Sequence, residues 1–200
     1  MEIQLRLVAS IRPGIQFREA IRHAEHGEIG VVQAGDIGVD GNIDFDRVTR
    51  VTGIPNLPNP QPLTAGDVVL QCRGQAYRAA IVPATDMKLV ASASLLILHP
   101  QPSMRAAYLA HFLNDPSTQA ELRKLATGAT IANLKRSALE QLEVLLPSLE
   151  DQDRIVALGE TLRHQSRIEA RLAELRRIEL RALLEKCAEK NRRRVNASGS

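Results

Sequence analysis

GATIANLKRSALEQLEVLLPSLEDQD, residues Gly128–Asp153, passes through a loop, a short helix, a strand and the start of a long helix. Gly128 and Thr130 mark the loop, and the basic stretch after it reads as a small helix. Leu142–Leu146 is an apolar strand that must stop at Pro147, which has no N–H for a ladder. Ser148 then offers an N-cap. Glu150, Asp151 and Asp153 follow in the first turn, where the helix dipole favours carboxylates.

Beyond that cap no proline occurs up to about Arg194, and Gly159 is the lone glycine before the tail. Ile155, Leu158, Leu162, Ile168, Leu172, Leu175, Ile178 and Leu183 recur mostly at spacings of three or four. Gln165 fills one gap and the phase slips near Ile168, so the seam departs from a strict heptad. A helix of roughly 40 residues would run about 60 Å. No domain of this size could bury its whole stripe, so the helix needs a partner.

Upstream, the pattern is mixed. Ile3–Ile11 alternates in part and reads as an opening strand, and Ile29–Gln33 as a short buried one. Gly35–Gly41 is turn material, and Ile54–Pro62, with four prolines, is an extended loop. Val68–Cys72, Ala79–Val82 and the pair within Lys88–Leu98 follow as strands. From Met104 the period becomes helical, breaks near Asn114, and resumes behind Pro116, a favoured first-turn residue. Strands first and helices later predict an α+β fold. The expected organisation is a mixed domain over 1–147, a long helix over 148–194 and a flexible tail over 195–200.

Composition narrows the function. The 44% hydrophobic content supplies a core, but with three Phe, two Tyr and no Trp that core is aliphatic. So few rings argue against a single-strand or RNA-loop binder, which stacks bases on aromatic faces. Cys72 and Cys187 have no partner motif, and neither a secretory signal nor a long apolar run is present; the expectation is a reducing, cytoplasmic setting without membrane contact. Residues 151–200 carry 12 Lys/Arg against 8 Asp/Glu, and residues 1–150 carry 14 against 15. Excess positive charge thus lies along the C-terminal segment, as duplex DNA would favour and as many solvated helices also show.

Catalytic signatures are lacking. His23, His26, His99, His111 and His164 form no ligand spacing with the cysteines, so no zinc is expected. The acidic stretch Asp36–Asp46 fits no calcium-loop register, because Arg47 or Val51 falls where a bidentate carboxylate belongs. No glycine-rich phosphate loop occurs, and Asn59-Pro60-Gln61-Pro62 lacks the aromatic and the cofactor strand of an adenine-methylating motif. No cofactor is expected.

Six segments in order resemble the target recognition domain of type I restriction–modification DNA specificity subunits. They are GEIGVVQAGDIGVDGNID (27–44), LTAGDVVLQCRGQAYRAAIV (63–82), KLVASASLLIL (88–98), YLAHFLNDPSTQAEL (108–122), GATIANL (128–134) and LLPSLEDQDRIV (145–156). Ala129 stands where the family usually has Thr, Ser148 where it has Pro, and Asp151-Gln152 where it has Glu-Gln. The resemblance implies a non-enzymatic reader of double-stranded DNA that works beside a methyltransferase (modification) subunit and, in some complexes, a restriction subunit. The familiar subunit has two recognition domains and two antiparallel helices; this chain has one of each. A homodimer reading an inverted, bipartite site follows, with the Ile155–Leu183 helix as its seam. That helix and the Met104–Leu125 helices are the expected docking surfaces for partner subunits.

Base edges in the major groove call for Arg, Gln and Asn. Gln71, Arg73, Gln75, Tyr77 and Arg78 around Gly74 are the first candidates for base readout, with Gln33 and Asp36 as second ones. Thr127, Thr130, Asn133, Lys135 and Arg136 have the small hydroxyls, amides and cations that phosphate contacts use. A solvated hairpin tip would read the same way as the first group, and a loop seating the domain on the helix the same way as the second. A coiled-coil adaptor with no DNA specificity is the alternative reading of the whole chain, kept open by the near-neutral charge of residues 1–150.

Overall fold

The computed structural model describes residues 2–54, 61–74, 76–128 and 132–197, with side chains to residue 186. The chain divides into two compact units, Met1–Val156 and Ala157–Ser200. Among the described residues the first holds nine strands: β1 (Glu2–Gln4), β2 (Ala9–Pro13), β3 (Ile29–Val32), β4 (Thr49–Val51), β5 (Val68–Gln71), β6 (Ala79–Ile81), β7 (Lys88–Ala91), β8 (Leu95–Pro100) and β9 (Glu143–Leu145). It also holds the helices α1 (Ala106–Asn114), α2 (Pro116–Leu125) and α3 (Arg136–Glu140); α4 (Leu149–Ala197) begins in it. The order of strands and helices is the α+β arrangement that the sequence predicts.

The central sheet runs β2-β8-β5-β6, all antiparallel. Its middle strands read as unbroken apolar runs because both faces are covered. Val68, Leu70, Leu96 and Leu98 face a core with Tyr108, Leu109 and Leu113 of α1 and Leu122 of α2. Val69, Leu95 and Ile97 face the other way, onto Val32 of β3 and Leu89 of β7. Those two strands pair in parallel, with β4 antiparallel on the far side of β3, making a second sheet. Val31, Val51 and Val90 turn outward from that sheet to a third cluster with Ile15, Phe17 and Ile21.

The opening segment departs from its expected single strand. β1 pairs with β9, Leu5–Leu7 forms a 3-10 turn, and only then does β2 join the central sheet. The break follows from a remote partner: the Leu5 N–H donates to Leu142 C=O at 2.8 Å, ahead of β9. The turn Leu63–Asp67 is built by local chemistry. Asp67 N–H donates to Thr64 C=O at 3.0 Å, Gly66 takes φ +89° inside the turn, and the buried Asp67 carboxylate accepts from Thr64 N–H at 2.9 Å. His99 Nδ1 lies 2.7 Å from the other Asp67 oxygen.

Ser148 caps α4 as the sequence predicts: Asp151 N–H donates to its hydroxyl at 3.1 Å, and that hydroxyl donates to Asp151 Oδ2 at 2.8 Å. The first turns of α4 belong to the first unit through Gln152 and Val156, which packs on the helix-side core. Gln152 is fully buried. Its Nε2 donates to Ser103 C=O (2.9 Å) and Pro147 C=O (3.0 Å), and its Oε1 accepts from Arg105 N–H (2.8 Å). Tyr108 secures the strand before it, its hydroxyl donating to Leu145 C=O at 3.0 Å.

From Ala157 to residue 186 every residue except Gly159 is exposed, including Leu158 at 62% and Ile168 at 54%. At about 100° per residue, Ile155, Leu158 and Leu162 share one face. Ile168, Leu172, Leu175 and Ile178 lie about 130° around it. Leu180, Leu183 and Leu184 return to the first face. Helical structure continues to Ala197, inside the stretch expected to be tail. Among the described residues no helix is long and apolar enough to cross a membrane.

Gln152→Ala strands one buried N–H and two carbonyls; it is expected to cost about 3 kcal/mol, read by urea unfolding of the full chain. Asp115 caps α2, accepting from Ser117 N–H at 2.9 Å. The Ser117 hydroxyl, with the N–H groups of Ser117 and Thr118, holds its carboxyl below the usual carboxylate range. A depressed folded value stabilises above the unfolded one and is lost as pH falls through the folded one. Asp115→Ala should therefore cost about 1 kcal/mol at neutral pH. Its deficit should shrink steadily once the pH drops below about 4.

Candidate nucleic-acid interface

The segments singled out in the sequence converge at one edge of the first unit. The loop after β5 and the segment before α3 are joined through their backbones. Leu134 N–H donates to Cys72 C=O at 2.8 Å, and Gly74 N–H to Ala132 C=O at 3.0 Å. Arg73 and Asn133 thereby form a bridge, and Asn133 bridges on its other side to Thr127, with N–H to C=O distances of 3.0 and 2.8 Å. Gly74 takes φ +100°, a region L side chains avoid, although a Cβ there would meet nothing within 4 Å. The conformation, not the space, asks for glycine.

The third segment is tied in through Gln71. Its Nε2 donates to Ala34 C=O, and its Oε1 accepts from Arg78 N–H at 3.3 Å. Ala34 opens a 3-10 turn, Ala34–Asp36, held by the Asp36 carboxylate, which accepts from Gln33 N–H at 2.8 Å. Burial pushes the Asp36 carboxyl up; its bond to Gln33 N–H and the charge of Arg47 oppose that shift. Ser94 joins the parts from below, its hydroxyl accepting from Ala34 N–H (3.1 Å) and its C=O from Cys72 N–H (3.0 Å). Cys72 itself is buried, its thiol donating to Ala93 C=O at 3.6 Å, and burial raises its pKa.

Side-chain placement divides the candidates. Arg73 and Lys135 are exposed, Arg78 is half-buried, and none of the three makes an ion pair among the described residues. Thr127 is exposed. Arg136 is exposed too, but its Nε lies 2.7 Å from Glu140 Oε1. Gln33 is half-buried and donates through Nε2 to Thr49 Oγ1 at 3.3 Å. Asn133 contributes backbone bridges. Gln75 and Thr130 lie outside the described residues.

Three candidates are buried rather than at the surface. Tyr77 is 1% exposed, and its ring belongs to the helix-side core. Gln71 and Asp36 are buried, with their polar atoms spent on Ala34, Arg78 and Gln33. They shape the loops that present the arginines. The segment Thr127–Arg136 also has less of a helix terminus than expected, since α3 spans five residues. Among its described residues, Thr127, Lys135 and Arg136 are the exposed candidates.

The structure adds residues that sequence reading missed. Arg47 stands over Gly35, its Nη2 3.7 Å from where a Cβ there would lie. Asn114 and Gln119 bond the backbone of Tyr77 and Ala79. Their signal was an amide on each side of the Asp115-Pro116 helix break. Among the described residues no group of three or more His, Cys, Asp or Glu is placed to hold a metal ion. The edge can offer cations, hydroxyls and amides, and thus bind an anionic polymer.

A model of the type I restriction modification DNA specificity domain matches residues 14–177. The chain belongs to this family. Solved structures share the fold of the specificity domain. The HsdS subunit from Thermoanaerobacter tengcongensis is 22% identical at a TM-score of 0.63, covering 82% of this chain and 37% of that one. A chain from work on complex assembly and conformational transition of the type I R-M system gives 22% and 0.64, covering 90% and 43%. The type I restriction–modification S subunit from M. genitalium gives 17% and 0.54, covering 88% and 42%. The specificity domain described here thus spans 37% to 43% of the length of these structures. A comparison with curated proteins finds no match.

Arg73→Ala should relax base preference at one base pair, by about tenfold in discrimination. Lys135→Ala should weaken binding to all duplexes alike and flatten the salt dependence by about one phosphate contact. Equal effects of both substitutions on every duplex, measured by titration at several salt concentrations, would refute this division of labour.

Proposed function

We propose that the chain is a sequence-specific, non-catalytic double-stranded DNA recognition subunit of a type I-like restriction–modification complex, acting as a homodimer on a bipartite inverted site. The observation that carries this reading is the backbone junction between the Arg73 loop and the Lys135 segment, in a chain of the DNA specificity family. It sets a side chain suited to a guanine edge beside one suited to phosphate, so register and readout come from one rigid edge.

A modification subunit supplies the methyl donor and takes the target base out of the stack. A restriction subunit, where present, adds cleavage. Dimerisation answers the exposed stripe of α4. Each large aliphatic residue left in water forgoes about 1.5–3 kcal/mol. Antiparallel pairing suits the arrangement, because Ile155, Leu158 and Leu162 share a face with Leu180, Leu183 and Leu184. The face carrying Ile168, Leu172, Leu175 and Ile178 is then free for partner subunits. Two-fold pairing presents two identical readers in inverted orientation.

The test is selection of bound duplexes from a random library by the full chain, with and without a type I modification subunit. The expected result is an inverted repeat with a fixed spacer, and a dimer in sedimentation at micromolar concentration. An asymmetric or single half-site consensus would sink the dimer. Absence of any consensus would favour the adaptor reading, which the charge of residues 1–150, 14 basic against 15 acidic, supports.

A further inference from the structure

The arm of the β5–β6 hairpin that carries Arg78 is held by side-chain amides rather than by a neighbouring strand. β6 lies at the edge of the central sheet, so its outer backbone groups have no ladder to join. Asn114, the last residue of α1, takes the place of a strand: its Oδ1 accepts from Ala79 N–H and its Nδ2 donates to Ala79 C=O, both at 2.9 Å. Gln119 of α2 does the same one alternate position away. Its Nε2 donates to Tyr77 C=O at 2.7 Å and to Leu113 C=O at 2.6 Å, while its Oε1 accepts from Tyr77 N–H at 3.4 Å. Arg78, between the two, donates its N–H to Gln71 Oε1 at 3.3 Å and accepts from Gln71 N–H at 2.9 Å. Three successive N–H groups, of Tyr77, Arg78 and Ala79, thus each end on a primary amide.

A single hydrogen bond leaves a peptide free to swivel, whereas an amide bonded to both N–H and C=O fixes its position and tilt. Both outer grips fall on the neighbours of Arg78 and none on Arg78 itself. The half-buried Arg78 side chain makes no ion pair among the described residues, so its placement follows from the backbone that the two amides hold. A loop packs on the same clamp: at Gly41, φ +78°, a Cβ would lie 3.4 Å from Asn114 Nδ2 and from Ala79 O. A base edge discriminates donors from acceptors over distances of a few tenths of an ångström, so a loosened arm loses selectivity before it loses attraction to phosphate.

We infer that Asn114 and Gln119 are positioning residues for sequence readout: without touching DNA, they fix where Arg78 lies and so set base preference. The inference rests on the reading of the chain as a DNA recognition subunit. The test compares the full-length wild type with Asn114→Ala, with Gln119→Met (which keeps side-chain length and removes the bonds), and with Val144→Ala. Val144 is a buried residue of β9 that shares the apolar cluster but not the clamp. Each is titrated with the duplex selected by the wild type, with its single-mismatch variants and with random duplex, at several salt concentrations.

Asn114→Ala and Gln119→Met should each lower discrimination at one base pair by about tenfold. Random-duplex affinity and the salt slope should stay within about twofold, and Val144→Ala should keep full discrimination. If Asn114→Ala does not fold, Gln119→Met carries the comparison alone. Wild-type discrimination in the clamp variants, or an equal loss in Val144→Ala, overturns the inference while DNA recognition stands. A wild type that selects no sequence overturns the DNA reading itself and this inference with it.

Discussion

The first unit depends on a sheet whose middle strands are buried on both faces. β5 and β8 send alternate side chains into two different apolar clusters, one under the helices and one against the second sheet. A side chain of these strands that changed face would leave a void in one core and overpack the other. Register is therefore fixed, and with it the point where β5 ends and the loop through Arg73 begins. The candidate interface inherits its geometry from packing that lies entirely beneath it.

At that edge, polar side chains rather than sheet ladders complete the backbone. Gln71, Asn114 and Gln119 serve the arm carrying Arg78; Asp36 serves the turn at Ala34; Ser94 ties the turn to Cys72. Buried amides and carboxylates are costly unless each atom finds a partner. No buried side-chain nitrogen or oxygen is left without one among the described residues. Arg73, Arg78 and Lys135 are thus carried on a base whose polar groups are satisfied.

Much of the fold was legible in the sequence, for reasons that can be named. Val68–Cys72 and the pair within Lys88–Leu98 are legible as strands, Pro116 and Ser148 mark helix starts, and Gly74 marks a break in the strand pattern. Ile3–Ile11 was misjudged as one strand because its break is imposed by Leu142, more than a hundred residues away, and local alternation carries no trace of such a partner. At the interface, the loops were found through their polar composition, and Arg73 and Lys135 with them. Composition could not separate polar groups that point outward from those that bend back. Gln71, Asp36 and Tyr77 therefore looked like surface, and Asn114 and Gln119 went unnoticed within helices.

Cys72 is buried where the two loops join, its thiol donating to Ala93 C=O, and burial raises its pKa. Attack by a thiol reagent on this buried sulfur requires its surroundings to open first. The speed at which that one atom is modified is therefore a clock for local opening at the end of β5.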